Sequence, residues 1–489
     1  MTTEAIQTVS DGELFIGGRF RPARAGAVVE DINPATGAPL CRVAWADETD
    51  LDDAVQAART AFDEGPWPAM TLKERGELLI RIAEGMRERA DELALRETLD
   101  VGKPITFSRG FDVPAAADLF AYYGGMVQQL EGAARAAGQS SFAYTRREPV
   151  GVVGAITPFN FPLNLAINKI APALAAGNTV VHKPAEQTPL STLLLAEIIA
   201  DAGTPAGVYN VVLGDGPLLG GRLAEHPGVD KLAFTGSTAT GKLLIGKAAG
   251  TLKKVTVELG GKGANIVFGD ADLDAAAQAA FQAAFFNAGQ FCMSGSRLLV
   301  HRSVHDELVD RLVRLAEATK IGDPREPETQ LGPIAHQEQL DKVSQYLRIG
   351  QEEGATLRTG GRRPDGTDDR GLFLSPTIFT DVRPGMRIEQ EEIFGPVLSV
   401  LRFDTDDEAV AIANGTPYGL AAGLHTRDLK RAHRTASRLQ AGIVWINTWG
   451  QFESSTPFGG YKQSGYGREL GPEGIEEYLQ YKTVFVNVD

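Results

Sequence analysis

The chain has 489 residues and a formal net charge of -15 at pH 7. An acidic chain lacks the positive surface that nucleic acids and anionic membranes require, so we expect neither as a partner. Hydrophobic residues make up 43% of the chain, but no run approaches the roughly 18 apolar residues of a membrane span. At about 150 residues per domain, this length predicts about three structural units.

The N-terminal stretch and the cysteines indicate where the chain works. The start, MTTEAIQTVSDGELFIGG, has no basic segment followed by an apolar one, so no signal peptide is predicted. The only cysteines, Cys41 and Cys292, offer no disulfide framework, which is typical of a reducing cytoplasm. We therefore expect a cytoplasmic protein. No metal site is predicted.

The first two-thirds of the chain changes from helical to alternating patterns. Helical periodicity predicts a helix over residues 48–65 and one or two more over 72–103. From 150 to 261, β-branched runs alternate with helical stretches, which predicts a parallel α/β sheet. Such sheets bind ligands at the carboxyl ends of their strands. The runs are VGVVGAI, NTVVHK, VYNVVLG, KLAFTG and KKVTVEL.

A second α/β unit is predicted after Gly261. Its first helix has Asp272 as the expected N-cap and ends at Gly289, and SRLLVH, HDELVDRLVRLAEATK and GIVWIN continue the alternation. Two apolar β-rich pieces, SSFAYTRREPVGVV and TVFVNV, belong to neither unit. Exposed strands of this kind often pair with another chain.

Two strand ends in the first unit carry candidate nucleotide contacts. In KLAFTGSTATG, Gly236 would let a ligand approach the backbone, and Ser237 with the first N–H groups of a helix could hold pyrophosphate. In NTVVHKPAEQTP, Glu186 beside Lys183 could accept ribose hydroxyls and repel a 2′-phosphate. The alternative for the first segment is a well-capped helix, because the spacing from Gly236 to Gly241 matches neither a dinucleotide fingerprint nor a P-loop. The alternative for the second segment is a solvated lysine and a solvated glutamate.

Three residues form a candidate reaction centre. Cys292, in GQFCMSG, is flanked by glycines that a plain core position does not need, although a buried structural thiol is the alternative. Glu258, at the end of VTVEL, could act as a base on the thiol or on water, although an exposed carboxylate is the alternative. Asn160, in ITPFNFPLN, could donate to an oxyanion, although a turn asparagine is the alternative.

Taken together, these segments resemble the NAD(P)-dependent aldehyde dehydrogenase superfamily over almost the whole chain. One motif would be weak, but nine occur in the family's order. They are ITPFNFP, GNTVVHKPAEQTP, FTGST, VTVELGGK, NAGQFCMSGSR, LGP, EEIFGPV, PYGLAAGL and PFGGYKQSGYGRELG.

The resemblance implies a covalent mechanism. Cys292 would attack an aldehyde to give a thiohemiacetal, whose oxyanion the Asn160 amide and the Cys292 N–H would hold. Hydride transfer to the nicotinamide would leave a thioester, and Glu258 would activate the water that hydrolyses it. Lys169 and Glu469 match a pair proposed to relay protons from Glu258.

The resemblance also implies a cofactor site, with NAD preferred through Glu186 and NADP possible. The residues that match cofactor contacts are Ile156, Thr157, Pro158, Phe159, Lys183, Glu186, Gly216, Phe234, Gly236, Ser237, Leu259, Glu392 and Phe394.

The fold class implied is α/β, with a Rossmann-like cofactor domain, an α/β catalytic domain and a small β-flap that joins subunits. The expected boundaries are 1–125 and 149–260 for the NAD-binding domain, 261–465 for the catalytic domain, and 126–148 with 466–489 for the oligomerisation flap and C-terminal tail. The flap implies a homodimer or a homotetramer.

The implied substrate tunnel is mostly apolar and aromatic. Asn168 replaces a tryptophan frequent in relatives, which disfavours betaine aldehyde, and the absence of arginine disfavours a carboxylate-bearing semialdehyde. Medium aliphatic or aromatic aldehydes are expected. A CoA-acylating semialdehyde dehydrogenase and a catalytically silent family member are the alternative functions. The tunnel positions are Phe161, Leu165, Asn168, Phe291, Met293, Trp449, Phe452 and Phe458.

Overall fold

The computed structural model describes residues 9–138 and 140–488. The expected domain boundaries also include residues 1–8, 139 and 489, which lie outside the described residues. Within the described ranges, no helix combines the length and apolarity needed to cross a membrane.

The strands of the described chain are mostly short, and those in the middle of the two large sheets are buried. In chain order, β1 to β22 are Leu14–Ile16, Arg19–Arg21, Val28–Ile32, Pro39–Ala44, Ala134–Ala136, Ser141–Pro149, Val152–Ile156, Thr179–Lys183, Tyr209–Val211, Lys231–Thr235, Lys254–Glu258, Ala264–Val267, Arg297–His301, Thr356–Thr359, Thr377–Thr380, Val397–Phe403, Tyr418–Gly419, Ala421–His425, Ile443–Ile446, Tyr461–Lys462, Gly465–Tyr466 and Leu479–Asn487.

The α-helices mostly connect these strands. In chain order, α1 to α16 are Glu48–Asp63, Leu72–Glu88, Ala90–Val101, Ile105–Phe107, Val113–Met126, Pro162–Ala176, Leu190–Asp201, Gly221–Glu225, Thr238–Ala248, Leu273–Phe285, His305–Ala318, Gln337–Glu352, Arg387–Gln390, Asp406–Asn414, Leu429–Ala436 and Gly471–Glu476. Two π-helical turns, Ser108–Asp112 and Gly216–Gly220, precede α5 and α8.

The first sheet has the strand order β2-β1-β9-β8-β7-β10-β11-β21. Strands β9, β8, β7, β10 and β11 are parallel, and these are the five predicted runs. Strands β7, β8, β9 and β10 are buried on both faces because helices cover the sheet, and the largest apolar core of the described residues surrounds them. Strand β11 is buried only at its carboxyl end. Strand β21, which falls at the expected boundary between catalytic domain and tail, adds to the far edge of this sheet.

The second sheet has the order β14-β15-β16-β13-β12-β18-β19 and is parallel except at β14. Apolar cores lie on both of its faces, one built partly from α12 and α14 and the other from α10 and α11. The predicted α/β class with two parallel sheets is therefore confirmed.

The two β-rich pieces outside these sheets pair with each other. Strand β22 runs antiparallel to β6 along its whole length, and β5 pairs with the other edge of β6. This three-stranded sheet exposes large apolar side chains, with Phe485 at 72% and Tyr481 at 61% of full exposure. Its outer strands, β22 and β5, are paired on one edge only.

One predicted helix end was wrong. Asp272 caps α10 by accepting a hydrogen bond from the Ala275 N–H at 3.2 Å, as expected. The helix ends at Phe285 rather than at Gly289. Asn287, Ala288 and Gly289 all have left-handed backbone conformations, with φ of 49°, 54° and 69°. Tertiary contacts hold this turn, and helical periodicity alone cannot reveal it.

Candidate active site

A cavity of about 550 Å³ lies at the carboxyl ends of β7, β8, β10 and β11. It runs from the loops after these strands to Cys292, Asn160 and Leu165 at its inner end. Every residue predicted to contact the cofactor lines it: Ile156, Thr157, Pro158, Phe159, Lys183, Glu186, Gly216, Phe234, Gly236, Ser237, Leu259, Glu392 and Phe394.

An ion pair occupies one corner of the cavity. The Lys183 ammonium lies 3.2 Å from the Glu186 carboxylate, which also accepts the Gly216 N–H at 2.5 Å. Lys183 is buried, and that desolvation lowers its pKa despite the neighbouring Glu186. The two side chains together present a cation and a fixed carboxylate to a ligand that carries hydroxyl groups.

The helix start at Ser237 is a capped N-terminus that faces the cavity. Ser237 Oγ accepts the Thr240 N–H at 3.1 Å. The lack of a side chain at Gly236 makes room for the Phe234 ring, because a Cβ at this position would lie 2.4 Å from the tip of that ring. The Gly236 N–H donates to the Glu258 carbonyl at 3.1 Å, which ties this turn to the end of β11.

Glu392 and Phe394 close the other side of the cavity. Glu392 accepts the Gly261 N–H at 2.9 Å, and burial raises the pKa of its carboxyl group. Phe394 has a left-handed backbone, with φ of 61°. Its ring meets Phe159 edge-on at 5.8 Å between centroids, and Phe159 also contacts His336.

Cys292 lies on an irregular loop between the left-handed turn at 287–289 and β13. A Cβ on Gly289 would lie 2.0 Å from the Gly395 carbonyl oxygen, and a Cβ on Gly261 would lie 2.2 Å from the Cys292 carbonyl oxygen. Glycine is therefore required at both places for the loop to pack where it does. The thiol is half-buried, whereas Cys41 is buried.

Asn160 is fixed beside the loop that carries Cys292. Its side-chain nitrogen donates to the Gln290 main-chain carbonyl at 2.9 Å, and the main-chain carbonyl of Asn160 accepts from Asn287 Nδ2 at 3.0 Å. The side chain is buried at 2% exposure. A primary amide has two N–H groups, so one remains to donate to a ligand.

Glu258 lies in a network of buried charges. Lys169 is ion-paired with Glu469 and donates to Thr235 Oγ1 at 2.5 Å, and Glu469 also accepts from Asn168 at 3.0 Å. Burial, reinforced by the Glu469 carboxylate, raises the pKa of Glu258 well above its usual range, while Lys169 opposes this effect. Glu258 Oε2 is buried with no hydrogen-bond partner among the described residues.

The thiol of Cys292 shares this environment. Burial raises its pKa, and the carboxylates of Glu392 and Glu258 raise it further. A hydrogen bond from the Met293 N–H acts in the opposite direction. The nucleophile is therefore protonated at neutral pH in the ligand-free protein, and a nearby base or a positive ligand is needed to form the thiolate.

A second cavity of about 260 Å³ has an aromatic wall. Phe291, Trp449 and Phe452, all predicted tunnel residues, line it, as do Phe107, Phe111, Phe286 and Gln282. Phe291, Met293, Trp449, Phe452 and Phe458 pack with Cys292 in one apolar cluster. Phe161 stacks on Phe286 with ring centroids 5.9 Å apart.

The sequence interpretation missed Phe107, Phe111 and Phe286. Phe107 directly precedes a π-helical turn and Phe111 lies within it, and the wider period of this turn gives no recognisable amphipathic pattern. Phe286 follows the unforeseen end of α10. Of the other predicted tunnel residues, Leu165 lines the first cavity, and the Asn168 amide donates to Glu469. The predicted residues that line neither cavity are Phe161, Asn168, Met293 and Phe458.

A buried cation lies against the ring of Phe161. Lys103 lies 4.6 Å from the centre of the Phe161 ring and 2.6 Å from both Glu97 and Asp112. Glu97 also accepts the Leu163 N–H at 3.0 Å, in the first turn of α6. This network fixes the start of the helix that carries Asn168 and Lys169.

No group of three or more histidine, cysteine, aspartate or glutamate side chains within 9–138 and 140–488 is arranged to hold a metal ion. The arrangement is instead that of a thiol and an amide donor at the end of a nucleotide-sized cavity. It suits covalent catalysis at a carbonyl carbon.

The family follows from comparison with known proteins. The model of the aldehyde dehydrogenase family matches residues 20–484. The chain therefore belongs to the aldehyde dehydrogenase family, as the sequence motifs predicted, and its enzymatic class is that of this family.

Individual relatives are similar along their whole length. DhaS of Bacillus subtilis (strain 168), whose name assigns it provisionally to the aldehyde dehydrogenases, is 46% identical over 100% of this chain and 98% of its own. An NAD+ complex of aldehyde dehydrogenase from Bacillus cereus is 46% identical, with a TM-score of 0.96 and coverage of 98% and 97% of the two chains. An NAD-dependent aldehyde dehydrogenase from Sinorhizobium meliloti is 43% identical, with a TM-score of 0.97 and coverage of 100% and 97%.

Proposed function

We propose that this protein oxidises an aldehyde to the carboxylic acid with NAD, through a covalent intermediate on Cys292. The observation that carries the proposal is the single cavity of about 550 Å³ that joins the Lys183–Glu186 corner to Cys292 and Asn160. A dinucleotide in this cavity would bring its reactive ring towards the thiol. Family membership supports the reaction class.

The residues of the cavity fit NAD. Lys183 and Glu186 would bind ribose hydroxyls, the capped helix start at Ser237 would face the pyrophosphate, and Glu392 would bind the second ribose. When bound, the cofactor supplies a hydride acceptor. The Bacillus cereus relative, which shares the fold, has been solved with NAD+.

In the first step, the thiol proton of Cys292 passes to the Glu258 carboxylate, which later hands it on to the buried Lys169–Glu469 network, and the Cys292 sulfur attacks the aldehyde carbon. The C=O bond becomes a C–O⁻ bond, held by the free N–H of the Asn160 amide and by the Cys292 backbone N–H. The buried position of Asn160 keeps water away from this charge, which strengthens the stabilisation. Loss of hydride from the carbon then leaves an acyl group on sulfur as a thioester.

In the second step, Glu258 takes a proton from a water molecule that attacks the thioester, and the thiolate leaves. The raised pKa of Glu258 makes its carboxylate a stronger base than an exposed glutamate. Glu469 and Lys169 lie next to it in the same buried network and would carry the proton onward.

The substrate proposal rests on the aromatic cavity. Its wall of phenylalanine and tryptophan rings favours a medium aliphatic or aromatic aldehyde. Gln282 is the only side chain of this wall that is not aromatic, so it offers a single amide for a polar tail.

We also propose a homo-oligomer, dimer or tetramer, with the sheet of β22, β6 and β5 at the contact. The exposed Phe485 and Tyr481 would be covered, and a free edge of this sheet would be paired. The three-domain division expected from the sequence, with this sheet as the flap, remains a proposal. A cytoplasmic location is proposed because both thiols are free.

Replacement of the proposed nucleophile should abolish turnover. Cys292→Ala removes the sulfur that forms the covalent intermediate, so aldehyde-dependent NADH formation should disappear from the absorbance at 340 nm. Cys41→Ala is the matched control, since Cys41 is buried outside the cavity and should keep wild-type turnover. Turnover in the Cys292 variant comparable to wild type would contradict the mechanism.

The pH profile should depend on Glu258. Only the ionised carboxylate is a base, and the pKa of Glu258 is raised. The plot of kcat against pH should therefore have a rising limb whose midpoint lies above 4.5, the ordinary pKa of a glutamate. Glu258→Gln should remove that limb and lower kcat by about 10²- to 10⁴-fold. The acyl group should then accumulate on Cys292 in acid-quenched samples measured by mass spectrometry.

A second variant tests the direction in which the Glu469 carboxylate shifts the pKa of Glu258. Glu469→Gln removes a carboxylate that raises the Glu258 pKa and leaves the opposing Lys169 in place. The limb should therefore move to lower pH. A limb unchanged in both variants would show that another group controls hydrolysis.

Glu186 should control the preference for NAD over NADP. A 2′-phosphate beside its carboxylate would be repelled, so Glu186→Gln should lower the ratio of kcat/KM for NAD to that for NADP by about tenfold, equivalent to roughly 1.4 kcal/mol. Glu352→Gln, on the exposed end of α12, is the matched control. Equal efficiency with both cofactors in the wild type would contradict the assignment.

Oligomerisation should depend on the exposed sheet. Phe485→Glu would place a charge on the apolar face and should shift the protein to smaller species in sedimentation velocity experiments. Leu252→Glu, at a residue 92% exposed and outside this sheet, is the control. A monomeric wild type at micromolar concentration would exclude the proposed contact.

A further inference from the structure

Three polar side chains lie end to end between the first core and the cofactor cavity. Thr157 Oγ1 lies 2.8 Å from His182 Nε2, and His182 Nδ1 lies 2.9 Å from the Tyr209 hydroxyl. His182 on β8 is fully buried at 0% exposure, and Tyr209 on β9 is 1% exposed within the apolar core. Thr157, just after β7, lines the cavity. None of these links has a role in the mechanism described above.

Each member of this chain carries one hydrogen that it can donate. Burial, with the positive charges of Lys169 and Lys183, lowers the pKa of His182 to about 3, so the ring is neutral at pH 7. Burial raises the pKa of Tyr209 well above its usual value, so the phenol stays protonated. A neutral imidazole donates from one nitrogen and accepts at the other. The three side chains therefore have three donor hydrogens for two hydrogen bonds, and one hydrogen is left over on the Thr157 or the Tyr209 hydroxyl.

The position of the spare hydrogen follows from burial. Among the described residues, the Tyr209 hydroxyl has His182 as its one hydrogen-bond partner, and the Thr157 hydroxyl likewise has only His182. An unpaired donor in the core would cost about 1–3 kcal/mol, whereas the Thr157 end borders a cavity that takes a polar ligand. The favoured order is that Tyr209 donates to Nδ1 and Nε2–H donates to Thr157. The Thr157 hydroxyl then donates into the cavity.

We propose that Tyr209 and His182 are positioning residues that hold the Thr157 hydroxyl as a directed hydrogen-bond donor to a ribose oxygen of the bound dinucleotide. The Thr157 N–H donates to the Lys183 carbonyl at 3.2 Å, so the hydroxyl is held close to the Lys183–Glu186 corner. Lys183 and Glu186 then supply one cation and one acceptor, and Thr157 adds an oriented neutral donor. This inference rests on the proposed use of NAD.

The test is the dissociation constant for NAD+, measured by isothermal titration calorimetry without aldehyde. Thr157→Val removes the donor and should raise the constant about three- to tenfold, the equivalent of one neutral hydrogen bond. Thr157→Ser keeps the hydroxyl and should restore binding to near the wild-type value. Tyr209→Phe frees the imidazole to adopt either tautomer and should weaken binding about threefold.

The double variant shows whether Tyr209 acts through Thr157. Because the proposed effect passes through the hydroxyl, Tyr209→Phe should cause no further loss in the Thr157→Val background. Tyr123→Phe is the matched control, because it removes another buried phenol. The Tyr123 hydroxyl donates to the Gly471 carbonyl at 3.1 Å, and Tyr123 does not line the cavity. It should lower the melting temperature and leave NAD+ affinity unchanged.

The outcomes separate this inference from the proposed function. A wild type that does not bind NAD+ would overturn both. Normal wild-type binding with an unchanged constant in Thr157→Val, or an equal effect of Tyr209→Phe in both backgrounds, would overturn the positioning role alone. Normal binding without aldehyde turnover would overturn the proposed reaction and leave the positioning role intact.

Discussion

The active site depends on the close approach of two backbone segments where the first sheet meets the second. The chain leaves β11 through Gly260 and Gly261 and passes the Cys292 loop so closely that a Cβ on Gly261 would lie 2.2 Å from the Cys292 carbonyl oxygen. On the other side of that loop, Gly289 approaches Gly395 in the same way. These contacts place the thiol at the end of a cavity that lies at the carboxyl ends of the first sheet's strands, although Cys292 is on the loop that leads into β13 of the second sheet.

This placement also sets the electrostatics of the site. The end of β11 brings Glu258 into the interior, and Glu392 accepts the Gly261 N–H directly after it. Both carboxylates raise the pKa of the Cys292 thiol, and Glu469 raises that of Glu258. Lys169 is the opposing charge within the network. Burial and these neighbouring carboxylates together favour the neutral forms of the Cys292 thiol and the Glu258 carboxyl group in the ligand-free site.

Much of this site could be predicted from the sequence because its residues lie at strand ends and in loops with distinctive composition. The five β-branched runs became the five parallel strands, and the residues after them line one cavity. Predictions failed where a local pattern was overridden by tertiary contacts. The left-handed turn at 287–289, for example, ends α10 at Phe285 rather than at Gly289.

The sequence by itself determined the α/β class, the family and the identity of the candidate nucleophile, base and amide donor, because periodicity and motif order are local properties of the chain. Only the tertiary structure decided which ionisable and polar groups are buried close together, where their charges and hydrogen bonds affect one another. Glu258 and Glu469 are distant in sequence, yet their charges interact strongly because both are buried. Likewise, Thr157, His182 and Tyr209 come from three segments, and only the pairing of β7, β8 and β9 aligns them into one hydrogen-bonded chain.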